Sequence, residues 1–131
     1  MLRKAKIEDL DSIYKLISDA AKKGKVLKRP KSEIKQVLSS FYVWVEDKEV
    51  AGCVSLEIYN KKLSEVRSLV VLPKYQGMGI GSKLIQACVN EAKAKEIYEV
   101  LAVTDKISLF EKMGFSKQLK GQWPLFLRLN P

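Results

Sequence analysis

Three glycines at alternate positions form the stretch of this sequence with the clearest chemistry. The stretch reads Gln-Gly-Met-Gly-Ile-Gly-Ser at residues 76–82, after an apolar segment of strand character and before apolar residues spaced three and four apart, as in a helix. Glycine lets a ligand approach the backbone closely, and the free N–H groups at a helix start attract anions. The spacing therefore predicts a turn that binds a phosphate or a diphosphate.

Two familiar phosphate loops do not fit this turn. A nucleotide-triphosphate loop places lysine before serine or threonine, whereas this chain has Ser82 before Lys83. The dinucleotide fingerprint has its third glycine one residue later than Gly81. The alternatives that remain are a different anion-binding loop and a glycine-rich turn without a ligand.

The chain contains no histidine, which restricts its chemistry. Ser-His-Asp hydrolysis, Cys-His chemistry and nearly all transition-metal sites are excluded, so we expect no metal. Any proton transfer must use a carboxylate, tyrosine, lysine, cysteine or water. Cys53 and Cys88 lie in apolar segments and are predicted to be buried free thiols, which favours a reducing cytoplasmic location.

Composition indicates one globular domain that covers residues 1–131. The chain is 47% hydrophobic and 30% charged, and no apolar run is long enough for a membrane span. Its net charge of +9 favours anionic partners. We expect no nucleic-acid partner, because the basic residues are not interleaved with exposed aromatic residues and no reader motif is present.

Alternating strands and helices surround the turn. Strands are predicted at residues 1–5, 41–46, 49–59, 65–72, 99–103 and 125–129; helices are predicted from residue 7, after Ser32, from residue 80 and at residues 108–113. Between the first two helices, residues 22–31 include six basic residues and no acidic one. That connection is either a solvated loop or an anion-binding lid.

The element order and the strand-turn-helix stretch resemble the GNAT acetyltransferase superfamily, whose acetyl-CoA pyrophosphate loop reads Arg/Gln-x-x-Gly-x-Gly/Ala. The resemblance covers nearly the whole chain. It implies an α/β fold in which a mixed, mostly antiparallel central sheet is flanked by helices and splayed between the fourth and fifth strands. Residues 41–43, 50–53, 65–71 and 110–115 more closely resemble the acetyltransferase domain of amino-acid N-acetyltransferases of the N-acetylglutamate synthase type.

This resemblance implies an acetyl-CoA-dependent N-acetyltransferase that acts on a small-molecule amine, with an amino acid such as L-glutamate, as in arginine biosynthesis, as the leading acceptor. The alternatives are another amine, or a CoA-binding module without turnover. A homodimer is left open. The implied cofactor-binding residues are Leu69, Val70, Val71, Gln76, Gly77, Met78, Gly79, Ile80, Gly81 and Ser82.

Three charged residues are candidates for binding the acceptor or for taking its proton. Glu65 is predicted to be a base that acts through water, because it shares a strand face with Arg67; a salt bridge is the alternative. Arg29 and Arg67 are predicted to bind the carboxylates of an acidic acceptor. By the resemblance, Phe110 stands where many members have a tyrosine that protonates the leaving thiolate, and Phe126 stands where the closer family has a lysine.

Overall fold

A computed structural model describes residues 1–130 of the chain. Helices and strands alternate in the order that the sequence predicts as far as the fifth strand. The elements are β1 Leu2–Lys4, α1 Leu10–Lys22, α2 Lys31–Gln36, β2 Phe41–Glu46, β3 Glu49–Ile58, β4 Leu63–Val71, α3 Ile80–Ala94, β5 Glu99–Ala102 and α4 Ile107–Lys112.

The strands form one sheet in the order β1-β2-β3-β4-β5. The first three pairings are antiparallel, whereas β4 and β5 are parallel. The pairing of β4 with β5 ends at Val66, but β4 continues to Val71. A wedge therefore opens between the two strands. This arrangement confirms the predicted mixed, mostly antiparallel sheet and its splay.

Each face of the sheet carries its own apolar core. Helices α3 and α4 cover one face, where Leu84 and Phe110 are buried against β3 and β4. Helices α1 and α2 cover the other face, where Ile17 and Ile34 pack near Phe41. Both cysteines are buried free thiols, as the sequence predicts. Among residues 1–130, no helix is long and apolar enough to cross a membrane.

The second helix begins earlier than the sequence predicts. Helix α2 starts at Lys31 with Pro30 as its N-cap, so Ser32 lies inside the first turn and does not cap the helix. Pro30 is extended, with φ of −61° and ψ of 147°. Its missing N–H costs nothing at this position, where a helix has no partner for it.

The prediction of a strand at residues 125–129 is wrong. The structure has no strand after β5 within residues 1–130, although an isolated bridge joins Leu119 and Gln122. The apolar side chains of the predicted strand are exposed; Leu125, for example, is 90% exposed. An alternating apolar pattern forms a strand only where a neighbouring strand can pair with it, and none pairs with this segment.

Candidate functional site

The glycine turn has a backbone that side chains rarely adopt. Gly77 and Gly79 have φ of +83° and +79°, in the left-handed region, and Gly79 is the N-cap of α3. A Cβ added at either glycine would meet no atom within 4 Å. Glycine is therefore needed here for its backbone conformation, and not because a side chain would clash with neighbouring atoms. The open space leaves the backbone N–H groups at the helix start accessible to a ligand.

A cavity of about 270 Å³ lies against this turn. Its walls come from the turn, from the end of β4 and from the segment around α4, where Lys106 and Leu109 lie. Lys106 contributes the cationic side chain of the wall, and no carboxylate lines it among residues 1–130. The first turn of α3 also lacks acidic residues. These features suit a bound phosphate group.

The end of β4 borders this cavity with its backbone. The main-chain N–H of Leu72 donates to the Ala51 carbonyl in β3, so the preceding residue, Val71, points its backbone groups toward the wedge. The Val71 carbonyl accepts a hydrogen bond of 3.0 Å from Gln76 Nε2. A polar side chain of the turn thus reaches the backbone of Val71.

A second cavity, of about 500 Å³, lies on the α1 side of the same strand end. Both cavities are lined by Leu69, Val71, Gln76 and Lys106, so they meet at the end of β4. The larger cavity also has three further lysines and two carboxylates in its wall. These residues are Lys15, Lys23, Lys25, Asp19 and Glu49.

The charges in the larger cavity do not cancel. Lys15 pairs with Asp19 at 3.1 Å, and Glu49 pairs with Lys74 at 2.8 Å. Lys23, Lys25 and Lys106 have no ion-pair partner within 4.0 Å among residues 1–130. The cavity therefore presents a net positive charge to a ligand.

Arg29 is buried in a network of protein carboxylates. Its side chain is 2% exposed, and its guanidinium donates to Glu33 at 2.9 Å, to Glu57 at 2.9 and 3.3 Å and to Ser68 Oγ at 3.1 Å. These contacts use four of the five N–H groups that a guanidinium carries. Arg29 lines neither cavity. Its predicted role in binding a substrate carboxylate stays a prediction.

Glu57 joins the two predicted arginines. Besides Arg29, it accepts hydrogen bonds from Ser55 Oγ at 2.9 Å and from Arg67 Nη1 at 3.1 Å. Burial raises the pKa of Glu57, but the hydrogen bonds from Arg29 and Ser55 and the two arginine charges outweigh burial, so the pKa lies below its ordinary value. The Arg67 side chain is 27% exposed and, among residues 1–130, makes one ion-pair contact, to Glu57, which leaves further N–H groups for a ligand.

Glu65 lies in the part of β4 that is still paired with β5, opposite Leu101. Its carboxylate accepts a hydrogen bond of 2.5 Å from the Tyr59 hydroxyl. Burial together with this hydrogen bond raises the pKa of Tyr59 to about 12, so the hydroxyl remains a donor at neutral pH. Four residues of strand, at roughly 3.3 Å each, put Glu65 at most about 13 Å from Leu69. It lines neither cavity, and its role as a base stays a prediction.

Phe110 belongs to the core. It is 5% exposed and packs edge-on against Phe115, with ring centroids 5.1 Å apart. The residue therefore provides no hydroxyl and no solvent-facing group to the site. Among residues 1–130, no group of three or more potential ligands is placed to bind a metal ion.

The sequence matches a known family over most of its length. Residues 10–115 match the family model of the acetyltransferase (GNAT) family. The chain belongs to this family. The matched span includes all residues that line the two cavities. As a GNAT member it is an acyltransferase.

Relatives of this chain include an N-acetyltransferase and amino-acid acetyltransferases. An uncharacterized N-acetyltransferase from Chlorobaculum tepidum is 29% identical over 94% of this chain and 79% of its own length. The amino-acid acetyltransferase of Buchnera aphidicola subsp. Schizaphis graminum is 26% identical over 87% of this chain, but the match covers 26% of that relative. This chain therefore corresponds to a minor part of the amino-acid acetyltransferase.

Solved structures share the fold. Rv2747 from Mycobacterium tuberculosis, solved with CoA, superposes with a TM-score of 0.84 at 24% identity, over 89% of this chain and 72% of that one. N-acetylglutamate synthase from Neisseria gonorrhoeae, solved with CoA and N-acetyl-glutamate, gives a TM-score of 0.79 at 23% identity, over 87% and 27%. Both structures contain CoA, and acetyl-CoA is the co-substrate that the sequence predicts for this GNAT chain.

Three residues at this site escaped sequence reasoning. Glu57 is a single charged residue in a segment that predicts a strand, and Lys106 follows Asp105 in a segment that predicts a loop, so neither gave a signal. Ser68 did give one. It follows Arg67 directly, and two polar residues in succession shift the apolar alternation of β4 by one position, which is the pattern of a β-bulge.

Proposed function

We propose that this protein transfers the acetyl group of acetyl-CoA to the amino group of a small acidic acceptor, with an amino acid such as L-glutamate as the leading candidate. One observation carries the proposal. The cavity at the glycine turn and a positively charged cavity meet at the open end of β4, and the two cavities share Leu69 and Val71. Two substrates can therefore approach the same stretch of backbone from opposite sides.

The cofactor side is supported by the turn. The backbone N–H groups of residues 76–82, together with the positive end of α3, would hold the diphosphate of acetyl-CoA. Lys106 faces the same cavity and would add a positive charge. The pantetheine arm would lie in the wedge and pair with the backbone of Leu69 and Val71, as a further strand would.

The acceptor side is supported by charge. Lys23 and Lys25 bring uncompensated positive charge to the larger cavity, which favours a substrate with carboxylates. Arg67 lies on β4, outside the linings of both cavities, and would offer a carboxylate the N–H groups that its contact with Glu57 does not use. A polyamine would be repelled by these groups, so it is the less favourable acceptor.

The chemistry requires three contributions from the protein. The ammonium of the acceptor must lose a proton, the amine must reach the thioester carbonyl, and the oxyanion that develops must be stabilised. We assign the first role to Glu65, acting through water, and the last to the main-chain N–H groups of Leu69 and Val71. Because Phe110 offers no proton, the CoA thiolate would leave unprotonated or take a proton from water.

Thiol release tests this function directly. The purified protein is incubated with acetyl-CoA and, in separate reactions, with glutamate, aspartate, glutamine and spermidine, and free CoA thiol is measured. We expect turnover with glutamate and identify the N-acetylated product by mass spectrometry. Turnover with spermidine alone would overturn the acidic acceptor. Binding of acetyl-CoA without turnover on any amine would favour the CoA-binding module and would exclude the role in arginine biosynthesis.

A further inference from the structure

Ser68 interrupts β4 at the point where the strand leaves β5. In the pairing with β3, Cys53 faces Val70 and Ser55 faces Arg67, so two residues of β4 stand opposite one residue of β3. Ser68 has φ of +57°, in the left-handed region that non-glycine residues seldom adopt. These features define a β-bulge, which bends the strand and increases its twist.

The bulge determines which way the following residues point. Val66 ends the pairing with β5, and Leu69 and Val71 follow within the wedge and line both cavities. A shift of one residue in a strand moves each side chain and each backbone group to the opposite side. Without the bulge, the backbone groups that Leu69 and Val71 present to the wedge would turn away from it.

Two contacts hold Ser68 in this conformation. Its hydroxyl accepts a hydrogen bond of 3.1 Å from Arg29 Nη1, and its carbonyl accepts one of 3.4 Å from the Cys53 thiol. Arg29 is itself fixed by Glu57 through two hydrogen bonds. Since Arg29 is 2% exposed, water does not compete for these groups.

Arg29 also connects the bulge to the acceptor side of the site. It lies in the connection between α1 and α2, four residues after Lys25, which lines the larger cavity. Arg29 therefore belongs to the segment that carries cations for the acceptor, and its guanidinium contacts the strand that would bind the thioester.

We propose that Arg29 and Glu57 act as a positioning pair, which holds the bulge at Ser68 and so orients the backbone of Leu69 and Val71 toward the reacting thioester. This proposal rests on the proposed function, and it gives Arg29 a role that does not involve contact with the substrate. Glu57 supplies the fixed anion against which the guanidinium is aligned.

The main test uses Arg29→Lys, which keeps the charge but loses the planar fork that contacts Glu57 and Ser68 together. We expect kcat to fall about 10-fold to 100-fold, since small misplacements of reacting groups cost rate on this scale. The KM for glutamate should stay within about twofold of the wild-type value, because binding of the carboxylates is not altered. A selective rise in the KM for acidic acceptors would overturn the proposal and favour a direct substrate contact.

Two variants of Ser68 provide an independent readout. Ser68→Ala and Ser68→Gly both remove the hydroxyl, but glycine adopts a positive φ without strain. We expect Ser68→Gly to retain more activity than Ser68→Ala. Equal activity in both variants, at the wild-type level, would show that the bulge does not depend on the Arg29 contact.

Arg3→Lys is the matched control. Arg3 makes a similar forked pair with Asp9, at 2.7 and 3.0 Å, and neither residue lines a cavity. We expect it to change the free energy of unfolding but not kcat. A crystal structure of Arg29→Lys separates the positioning role from the proposed function. If Arg29 holds the bulge, residue 68 should leave the left-handed region in this variant, even if the protein acetylates no acceptor. An unchanged φ at residue 68 overturns the positioning role alone.

Discussion

Gln76 Nε2 donates a hydrogen bond of 3.0 Å to the main-chain carbonyl of Val71. This contact joins the first residue of the glycine turn to the last residue of β4. The strand that would bind the pantetheine arm and the turn that would bind the diphosphate are therefore held at a defined distance from each other. Both would contact the same molecule of acetyl-CoA.

Loss of this contact should weaken cofactor binding modestly. Gln76→Leu replaces the amide with a slightly shorter apolar side chain and so removes the donor, and one such hydrogen bond contributes about 1 kcal/mol, or roughly fivefold in Kd. Calorimetry with CoA measures the change. Gln86→Leu is the control, because the Gln86 side chain donates to Asn90 within α3 and lines neither cavity. An unchanged Kd in Gln76→Leu would contradict the coupling of strand and turn.

Gly79→Val should weaken CoA binding strongly while the fold remains intact. Valine is strained at φ of +79°, so the N–H groups of the turn should lose their common direction. We expect the Kd for CoA, measured by calorimetry, to rise at least about tenfold, which corresponds to about 1.4 kcal/mol. Gly121→Val is matched to it, since Gly121 has φ of +78° and lines neither cavity. If a folded Gly79→Val protein bound CoA normally, the turn would not be the cofactor site.

The double variant Lys23→Ser and Lys25→Ser should raise the KM for glutamate about tenfold through the loss of two positive charges at the larger cavity. The effect on glutamine should be smaller, because glutamine carries one carboxylate fewer. Lys22→Ser, a neighbour that lines neither cavity, should behave as the wild type. Steady-state kinetics at low ionic strength give the three values. A KM for glutamate that does not respond to the double variant would place the acceptor elsewhere.

Glu65→Gln tests the proposed base. General-base catalysis contributes about 100-fold or more to rate, so kcat should fall on that scale while the Kd for acetyl-CoA stays unchanged. Tyr59→Phe removes the hydroxyl that donates to Glu65 but leaves the carboxylate in place, and should retain most of the activity. Full activity of Glu65→Gln across the pH range would exclude Glu65 as the base.

Glu57 should make stability depend on pH in the acidic range. Its pKa in the folded protein lies below the ordinary value of 4.5, so its contribution to stability is present above pH 4.5 and is lost as the pH falls through the folded-state pKa. At pH 7, Glu57→Gln should lower the free energy of unfolding by about 3 kcal/mol, since it leaves Arg29 without a buried partner. Urea unfolding at pH 7 and pH 3 should show that difference shrink. A difference that is constant with pH would contradict an ionised Glu57 in the folded state.

Local chemistry explains why the glycine turn was predictable. The backbone conformation of the turn depends on its own residues and not on distant ones. Gly77 and Gly79 have a positive φ, which glycine adopts easily. The hairpin of β2 and β3 was equally predictable from the sequence, because β-branched and aromatic residues flank a short polar turn.

The sequence by itself determined the elements up to α4, the position of the glycine turn and the family to which the chain belongs, because these follow from residue spacing over short stretches. Only the tertiary structure decided that Arg29 contacts Glu57, 28 residues away, that Ser68 forms a bulge, and that residues 125–129 do not form a strand. Each of these depends on which segment packs beside another. A side chain's partners and a strand's neighbour are set by the folded arrangement, and the local pattern does not encode them.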